Sequence, residues 1–511
     1  MKKIISKTAL ASLCAMAISG CSDDAASPTF EASDQSAEQS VDQSANQWTI
    51  DGQRDLANAL NQQPINRRAK NVIFFIGDGM GITTQTAARI LEGQLNGQDG
   101  EENLLSFETL PYTALVKTYT TNHQVSDSAG TATAFHTGVK TKSGVIGLSE
   151  FADYNVCEGQ AKHEVTSLLK LAEDRGMATG LVSTARITHA SPAAAYAHAA
   201  SREWETDKDM LPADIEMGCV DIARQLIEFE HGDGVDVILG GGRRGFLPNT
   251  VADPEYPDQQ GRREDGRDLV AQWQSAGGQF VWNEQQLRDA PKDQPLLGLF
   301  EPSHMQFEVD RPHDAGGEPS LTEMTATAIS RLEDSEEGYY LFIEAGRIDH
   351  AHHYNNAYRA LHDAVEMSRA VAQAMAMTSE QDTLIVVSAD HSHSFALAGY
   401  PAKGNGVFDW VRGTDDHGHA TNEVELAEDG QPYSMLGYTT GFMVPRDEAY
   451  GELDPSDPNF RQGARIPSRG EHHGGEDVVV MARGPMAHAF HGFVEQTFLY
   501  HAMAHALDIQ Q

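Results

Sequence analysis

The sequence predicts an α/β fold: a large doubly wound, mostly parallel sheet with helices on both faces and insertions at its rim. Short, continuous apolar runs recur along the chain, and stretches with helical periodicity follow most of them. Such runs are typical of strands buried on both faces, and their alternation with helices is typical of doubly wound domains. With 511 residues and 40% hydrophobic content, the chain is long enough to bury this core.

Six of the apolar runs are predicted to be strands of this sheet. They lie at 71–77, 177–184, 235–241, 339–346, 383–390 and 477–484. Helical periodicity is found at 161–175, 215–231, 320–337, 355–377 and 493–508. Two ranges interrupt the alternation, 246–318 and 392–470, because both are rich in Gly, Pro and Asp. We interpret both as insertions at the rim of the sheet within one domain.

The N-terminal sequence predicts an export signal. Two lysines precede an apolar stretch at 8–19 that is too short to span a membrane comfortably. The stretch ends in ISGC, which resembles the bacterial lipobox, in which Cys21 would be lipidated. Cleavage at an ordinary signal site nearby is the alternative. The protein is therefore expected to be exported, to the periplasm or the cell surface, and to be anchored to the outer membrane through Cys21.

The mature chain is expected to begin with a tether. Residues 1–21 form the lipoprotein-type signal segment. Residues 22–48 consist mainly of Ser, Asp, Gln, Ala and Glu, a composition that predicts a disordered linker. Residues 49–511 form the predicted folded domain.

Charge and cysteine content narrow the possible functions. The formal net charge of −38 argues against binding to nucleic acid or to anionic lipid by charge attraction. Cys14 leaves with the signal and Cys21 would carry lipid, which leaves Cys157 and Cys219. Outside the cytoplasm these two are expected to form a disulfide.

Acidic and imidazole side chains occur where the predicted strands end. They are Asp78, Glu344, Asp390 and His391 at strand ends, and Asp349, His353 and His473 in the adjoining loops. In open α/β sheets ligands bind beyond the carboxyl ends of the strands, so these groups are expected to converge. Imidazole with carboxylate suits zinc, and a mostly oxygen set suits magnesium. Taken singly, Asp78 and Asp390 could instead be helix caps.

The stretch VSDSAGTATAFHTGVKT at 125–141 contains a candidate nucleophile, Ser128, at the start of a predicted helix. A helix N-terminus favours developing negative charge. No GxSxG elbow surrounds Ser128, and a metal-bound serine needs no histidine base. A Ser/Thr-rich helix start without function is the alternative. GGGRRG at 240–245 matches a dinucleotide fingerprint, but the prolines after it favour a structural loop.

These motifs together resemble the alkaline phosphatases. The matching stretches are FFIGDGMG, VSDSAGTAT, THASPAAAYAHAASR, FIEAGRIDHAHHYNNA, SADHSHSF and HHGGEDVVVMARGPMAHAFHG, in this order between residues 70 and 508. The resemblance implies hydrolysis of phosphate monoesters at alkaline pH through a phosphoserine, with two zinc ions and one magnesium ion per subunit. It also implies a homodimer, in which 392–470 would be the crown insertion.

The resemblance assigns roles residue by residue. Ser128 would become phosphorylated, and Arg202 would bind phosphate through its guanidinium fork. The ion ligands would be Asp349, His353 and His473 for one zinc, Asp78, Asp390 and His391 for the second zinc, and Asp78, Ser191 and Glu344 for magnesium. The adjacent His472 is a weaker alternative to His473.

Two departures place the chain in a subgroup. His189 and His350 stand where the best-known bacterial members have Asp and Lys, and resemble animal and some marine bacterial members. Both are expected near the phosphate, whereas His352 is expected to be only solvated. In the animal-type enzymes a disulfide lies at the positions of Cys157 and Cys219.

Three other readings compete with the phosphatase. A related phosphodiesterase would place its nucleophile in a different setting and lack the motif with Ser191 and Arg202. A sulfatase would need a CxPxR motif, which does not surround Ser128. A non-catalytic lipoprotein that sequesters metal or phosphate could keep the ligands without Ser128. The presence of Ser128 beside every ligand favours turnover.

Overall fold

The structure is a computed structural model that describes Ser44 and residues 46–509. The predicted signal segment, Cys21 and most of the predicted linker lie outside the described residues. The chain divides into two units, one up to Asn61 and one from Gln62 onward. The described part of the first unit is essentially one helix, α1 (Gln47–Asn61), none of whose residues is buried. The helix begins two residues before the expected start of the folded part.

The second unit is built on a ten-stranded sheet with three small sheets beside it. The strands are β1 (Asn71–Gly77), β2 (Tyr112–Lys117), β3 (Ala178–Arg186), β4 (Val237–Gly241), β5 (Gln279–Val281), β6 (Leu296–Leu299), β7 (Tyr339–Ala345), β8 (Thr383–Ala389), β9 (Ser392–His393), β10 (Phe395–Leu397), β11 (Arg412–Thr414), β12 (Ala420–Val424), β13 (Leu436–Gly441), β14 (Ala464–Pro467), β15 (His473–Gly474), β16 (Val478–Arg483) and β17 (Gly492–Glu495).

Helices connect the strands of this unit. They are α2 (Ile82–Leu95), α3 (Ser128–Thr137), α4 (Leu168–Glu173), α5 (Ala190–Ala193), α6 (Pro212–Glu216), α7 (Ile222–Ile227), α8 (Leu269–Ser275), α9 (Glu284–Asp289), α10 (Leu321–Leu332), α11 (Arg347–His353), α12 (Ala357–Met377) and α13 (Thr497–Ala506). Within the described part of the chain, no helix is long and apolar enough to cross a membrane.

The sheet confirms the predicted α/β class. Its strand order is β17-β2-β16-β8-β1-β7-β3-β4-β6-β5. Neighbouring strands run parallel except at β16, which is antiparallel to both β2 and β8. The apolar run at 477–484 therefore forms a strand, as predicted, but runs against the direction expected in a parallel sheet. A continuous apolar run reports burial on both faces and carries no information on direction.

All six predicted strands are present, and the strands that the sequence pattern missed are short or exposed. Strand β2 alternates between buried and partly exposed residues, and β5 has only three residues. Strands β5 and β6 lie in the range 246–318 and form one edge of the sheet. This range is therefore partly an extension of the sheet. Its edge position explains why it lacks a long apolar run.

Two of the helix predictions agree closely with the structure, and two others are interrupted. Helices α10 and α12 match the predictions at 320–337 and 355–377. The prediction at 215–231 is interrupted, since α6 ends at Glu216 and α7 begins at Ile222. Gly218 has φ +96°, a left-handed conformation that ends a helix. The stretch 161–175 forms a 3₁₀ turn followed by the short α4.

An aromatic cluster holds α3 against the centre of the sheet. The ring centroids of Phe74 on β1 and Phe135 on α3 are 5.3 Å apart, and those of Phe74 and Phe342 on β7 are 5.8 Å apart. Every residue of α3 is buried. The helix that begins at Ser128 is therefore fixed by tight packing, and its position depends little on solvent-exposed contacts.

The range 392–470 forms a compact addition with its own small core. It contains the two-stranded sheet β11–β12 and the sheet of β10, β13 and β14. Trp410, Tyr450 and Phe460 form an apolar cluster separate from the main core.

Cys157 and Cys219 form the expected disulfide, with sulfur atoms 2.05 Å apart. The bond joins the loop before α4 to the loop after α6. Both side chains are buried at the edge of the main core.

Replacing Cys157 and Cys219 together by serine should lower thermal stability, because the unfolded chain gains the freedom of a segment of 62 residues. The chain-entropy model gives a loss of about 4 kcal/mol. Scanning calorimetry measures the effect as a lower melting temperature. Wild-type protein treated with a reductant should melt like the double variant. An unchanged melting temperature in both would contradict the expectation.

Candidate active site

Three neighbouring strands at the centre of the sheet bring the predicted carboxylates together. Asp78 follows β1 and Asp390 follows β8, and the two strands end level because Gly77 pairs with Ala389. Glu344 lies in β7, on the other side of β1. All three carboxylates are completely buried. Residues that are more than 250 positions apart in sequence therefore converge, as the strand-end argument predicted.

Gly79 makes the turn after Asp78 possible. Its φ is +68°, and its amide donates a 2.9 Å hydrogen bond to Asp390 Oδ1. A Cβ atom at this position would lie only 2.2 Å from His393 Nε2. Only glycine fits both the backbone conformation and the space.

Ser128 lies beside the first of two clusters of possible metal ligands, which we call the nucleophile cluster: Asp78, Asp390 and His391. Ser128 Oγ is 3.2 Å from His391 Nε2 and 3.5 Å from Asp78 Oδ1. His391 Nε2 is 3.2 Å from Asp390 Oδ2. The serine hydroxyl therefore faces the position where these ligand atoms converge.

The start of α3 is capped by Asp127, which the sequence analysis did not assign to the site. Asp127 Oδ1 accepts a 3.1 Å hydrogen bond from the amide of Gly130. The same side chain accepts a 3.1 Å hydrogen bond from Arg202 Nη1 through Oδ2. Asp127 thus holds the nucleophile's helix and the arginine in one arrangement.

The second cluster, which we call the histidine cluster, consists of Asp349, His353, His473 and His393. Asp349 and His353 lie one turn apart on α11. Asp349 Oδ1 is 3.3 Å from His353 Nε2, 3.4 Å from His473 Nε2 and 2.9 Å from His393 Nε2. His473 on β15 pairs directly with His393 on β9. Three imidazole nitrogens therefore converge on one carboxylate oxygen.

Hydrogen bonds at Nδ1 leave Nε2 of these imidazoles available. His353 Nδ1 lies 2.7 Å from the carbonyl oxygen of Glu471, and His473 Nδ1 lies 2.7 Å from that of Ser126. A carbonyl oxygen can only accept, so each Nδ1 carries a proton, and in the neutral imidazole the free lone pair is on Nε2. His472, in contrast, is exposed. The structure thus brings His473 rather than His472 to the cluster.

Several buried oxygen atoms at the site lack a hydrogen-bond partner among the described residues. They are Asp78 Oδ2, Glu344 Oε1 and Ser191 Oγ. Glu344 Oε2 accepts a hydrogen bond from the Ser183 hydroxyl. Buried polar atoms without partners are rare and costly, and oxygen ligands of this kind suit a hard divalent cation. The residues present therefore fit bound metal ions.

The pKa values of the buried carboxylates also fit bound metal ions. Burial, together with Asp390, Asp349 and Glu344, raises the pKa of Asp78 well above its usual range. Burial also raises the pKa of Glu344 to about 7. Asp349 differs: burial opposes its ionisation, but the neighbouring imidazoles, His353 first, hold its pKa well below the usual range. A divalent cation would offset the repulsion between these carboxylates.

Arg202 lies beside the nucleophile's helix and the predicted phosphate-side histidines. Its Nη2 is 3.1 Å from His189 Nε2. The ring centroids of His189 and His350 are 5.4 Å apart, and the ring centroid of His304, which the sequence did not indicate, lies 4.0 Å from that of His350. Burial and neighbouring arginines lower the pKa of all three imidazoles, so they are neutral at ordinary pH. Arg202, paired with Asp127, is thus the charged group beside these neutral imidazoles.

The structure corrects one expectation about the histidines of FIEAGRIDHAHHYNNA. His352 was expected to be only solvated, but it is completely buried. Its Nδ1 lies 2.8 Å from the Tyr438 hydroxyl and its Nε2 lies 3.0 Å from Thr84 Oγ1. Its ring packs against His393. A histidine on the inner face of α11 is therefore part of the support of the histidine cluster.

Sequence reasoning also missed His393 and Glu471. His393 follows His391 by two positions in SADHSH, and this spacing was the available signal. Residues two apart in extended chain project to the same side. Glu471 gave no such signal, because its contacts are with residues 77 or more positions away.

The GGGRRG motif forms a structural loop, as predicted. A 3₁₀ turn follows β4 there, and Arg243 is completely buried against Asp253 and Glu255.

A serine at the start of a buried helix faces clustered carboxylates and imidazoles at the ends of parallel strands, an arrangement that suits a metal-dependent hydrolase with a hydroxyl nucleophile. Comparison with known proteins specifies the class. The family model described as alkaline phosphatase matches residues 69–509. The tissue-nonspecific alkaline phosphatase of Gallus gallus is 45% identical over 474 residues, covering 90% of this chain and 88% of the relative. The alkaline phosphatase of Gadus morhua is 44% identical over 475 residues, covering 91% and 97%.

Solved structures show the same fold. The Thermus thermophilus alkaline phosphatase matches with a TM-score of 0.63 at 25% identity, covering 89% of this chain and 94% of the other. The alkaline phosphatase of the Antarctic bacterium TAB5 has a TM-score of 0.59 at 21% identity, covering 87% and 100%. The chain belongs to the alkaline phosphatase family. It is a phosphatase that hydrolyses phosphate monoesters, and its family implies divalent metal ions.

Without divalent ions, the stability of the protein should fall as the pH rises through about 7. Burial raises the pKa of Glu344 from 4.5 to about 7, so its uncharged form stabilises the folded state. This contribution is complete below pH 4.5 and is lost as the pH rises through about 7, since the folded chain must then ionise Glu344. Glu344→Gln cannot ionise and should flatten the decline, measured as melting temperature in a chelator from mildly acidic to alkaline pH.

Two controls accompany this measurement. Glu230→Gln removes an exposed carboxylate and should leave the decline as in the wild type. Zinc and magnesium added to the wild type should abolish the decline, because bound cations stabilise the ionised carboxylates. The same slope for Glu344→Gln and the wild type would contradict the expectation.

Proposed function

We propose that this phosphatase acts at alkaline pH by transferring the phosphoryl group of its substrate to Ser128. The Ser128 oxygen forms a bond to phosphorus while the ester P–O bond breaks, and the alcohol leaves. Water then attacks the phosphoserine, releases inorganic phosphate and restores Ser128. The observation that supports this proposal most directly is the position of Ser128 Oγ, 3.2 Å from His391 Nε2 at the N-terminus of α3.

Three ions would occupy the site. The proposed ligands are Asp349, His353 and His473 for one zinc, Asp78, Asp390 and His391 for the second zinc, and Asp78, Ser191 and Glu344 for magnesium. Bound divalent ions would lower the pKa of the serine hydroxyl and of water and would stabilise the entering and leaving oxygens. The unpaired buried oxygens of Asp78, Ser191 and Glu344 support this assignment.

Residues of the chain would position and stabilise the phosphoryl group. The N-terminus of α3 favours negative charge on the oxygen of Ser128 and on the transferring group. Arg202 would bind two non-bridging oxygens with its planar fork, and Asp127 holds it in place. His189 and His350 would lie next to the phosphate as neutral side chains and would add no charge of their own. On a chain of net charge −38, Arg202 supplies the local attraction that the surface lacks.

We further propose that the protein is exported, periplasmic or at the cell surface, and lipid-anchored through Cys21, and that it is a homodimer. We take residues 49–511 as one catalytic domain. The signal-like N-terminal pattern and the disulfide between Cys157 and Cys219 support export. Mass spectrometry of the mature N-terminus and the solution mass of the purified protein test these proposals.

Ser128→Ala should lower kcat for an aryl phosphate monoester by about 10³-fold or more, because the attacking oxygen is removed. Metal content and binding of inorganic phosphate should remain. Ser275→Ala replaces an exposed serine that belongs to neither cluster; it is the matched control and should have wild-type activity. Wild-type activity should disappear with a chelator and return with zinc and magnesium. Full activity of Ser128→Ala would contradict the phosphoserine route, and a metal-replete but inactive wild type would favour the sequestering lipoprotein.

Arg202→Lys should weaken inhibition by inorganic phosphate and raise KM by about tenfold or more, because a point charge replaces two parallel hydrogen bonds. Steady-state kinetics with phosphate as inhibitor give both values. Arg175→Lys is the exposed control. Equal phosphate affinity of Arg202→Lys and the wild type would argue against a direct role of Arg202.

A further inference from the structure

A buried glutamate, Glu471, lies behind the histidine cluster and is not among the proposed metal ligands. The Glu471 side chain is completely inaccessible to solvent. Its Oε2 accepts a 2.5 Å hydrogen bond from His393 Nδ1. Its Oε1 accepts 2.6 and 2.7 Å hydrogen bonds from the amide and hydroxyl of Ser394. Both carboxylate oxygens are therefore used entirely as acceptors.

The backbone of Glu471 holds a second histidine. Its carbonyl oxygen accepts the 2.7 Å hydrogen bond from His353 Nδ1, and its amide donates a 3.1 Å hydrogen bond to the His353 carbonyl oxygen. These two bonds join the loop before β15 to the end of α11. The tautomer and the direction of His353 are thereby set by Glu471.

His393 transmits the side-chain contact to Asp349. Its Nε2 lies 2.9 Å from Asp349 Oδ1, and both side chains are nearly or completely buried. His393 also pairs across β9 and β15 with His473. Glu471 is thus connected with all three proposed zinc ligands of the histidine cluster: directly with His353, through His393 with Asp349, and two positions along the chain with His473.

We propose that Glu471 is a positioning residue that organises the first metal site, by fixing His393 against Asp349 and by directing His353. The proposal rests on the proposed function, which assigns zinc to Asp349, His353 and His473. Among the described residues, the hydrogen bonds of Glu471 do not reach Ser128 or the nucleophile cluster. Its effect is therefore specific to one of the two zinc sites.

The physical reason is the difference between a carboxylate and an amide. Two acceptor oxygens satisfy donors from His393 and Ser394 on opposite sides. Glutamine has one acceptor oxygen and an NH₂ group. In Glu471→Gln the NH₂ group therefore faces a hydrogen-bond donor, either that of His393 or those of Ser394. His393 then loses its fixed orientation, and Asp349 loses its support. Residues that support a metal ligand in this way typically change metal affinity by about 10–100-fold.

The test compares zinc binding of the full-length wild type and Glu471→Gln. Both proteins are equilibrated in zinc buffers of decreasing free zinc, and bound zinc per chain is measured by elemental analysis. The wild type should bind two zinc ions, and Glu471→Gln should bind one of them about 10–100-fold more weakly. Excess zinc should restore kcat of Glu471→Gln. Unaltered affinity at both sites would overturn the proposal.

Double substitution tests the route through His393. If Glu471 acts through His393, adding Glu471→Gln to His393→Gln should weaken zinc binding little further, because the two changes remove one shared interaction. Additive losses would overturn this route. Glu173→Gln is the matched control, since Glu173 is also buried but lies outside the site, against Thr179. Its zinc content should equal that of the wild type.

Each failure has a distinct signature. A wild type that binds no zinc contradicts the proposed function itself. A wild type with two zinc ions and an unaffected Glu471→Gln contradicts only the role of Glu471. If circular dichroism shows that Glu471→Gln is unfolded, Ser394→Ala serves instead, because it removes one hydrogen bond to Glu471 Oε1 and keeps the charge. A several-fold loss of zinc affinity in Ser394→Ala supports the proposal, and none overturns it.

Discussion

The close approach of buried carboxylates at the ends of β8, β1 and β7 is the constraint on which the rest of the site depends. Asp78, Asp390 and Glu344 lie side by side without solvent, so their like charges oppose ionisation. A flexible surface would let such groups separate. The pairing of three parallel strands prevents separation, because their ends are held level by hydrogen bonds and by a packed core. The repulsion is relieved by protons or by cations, and this makes the strand ends a candidate metal site.

The nucleophile depends on packing of a different kind. Ser128 begins a helix whose residues are all buried, and the aromatic contacts of Phe135 with Phe74 and Phe342 hold that helix on the sheet. Asp127 caps the helix and also holds Arg202. One short segment thus sets Ser128, the helix N-terminus and Arg202 relative to the carboxylates. Catalysis by positioning requires this rigidity, because small displacements of a reacting oxygen cost large factors in rate.

The tautomer and the ring direction of the histidines depend on the groups that accept hydrogen bonds from their Nδ1 atoms. In His353 and His473, a carbonyl oxygen takes the Nδ1 proton and leaves Nε2 towards Asp349. In His393, the acceptor is the carboxylate of Glu471. His352 is held by Tyr438 and Thr84 and packs against His393. The ligands are therefore presented by a buried hydrogen-bonded layer, which supplies both the tautomer and the direction of each ring.

The sequence by itself determined the class of fold, the six main strands and the convergence of Asp78, Glu344 and Asp390, since apolar runs report burial and strand ends share an edge. Its motifs also identified the family. Only the tertiary structure decided that β16 runs antiparallel, that β5 and β6 extend the sheet edge, and that His352 is buried. It alone revealed Asp127, His304, His393 and Glu471 as parts of the site. The physical reason is that strand direction, edge pairing and the partner of a buried polar atom depend on contacts between distant segments, which leave no periodic signal in either one.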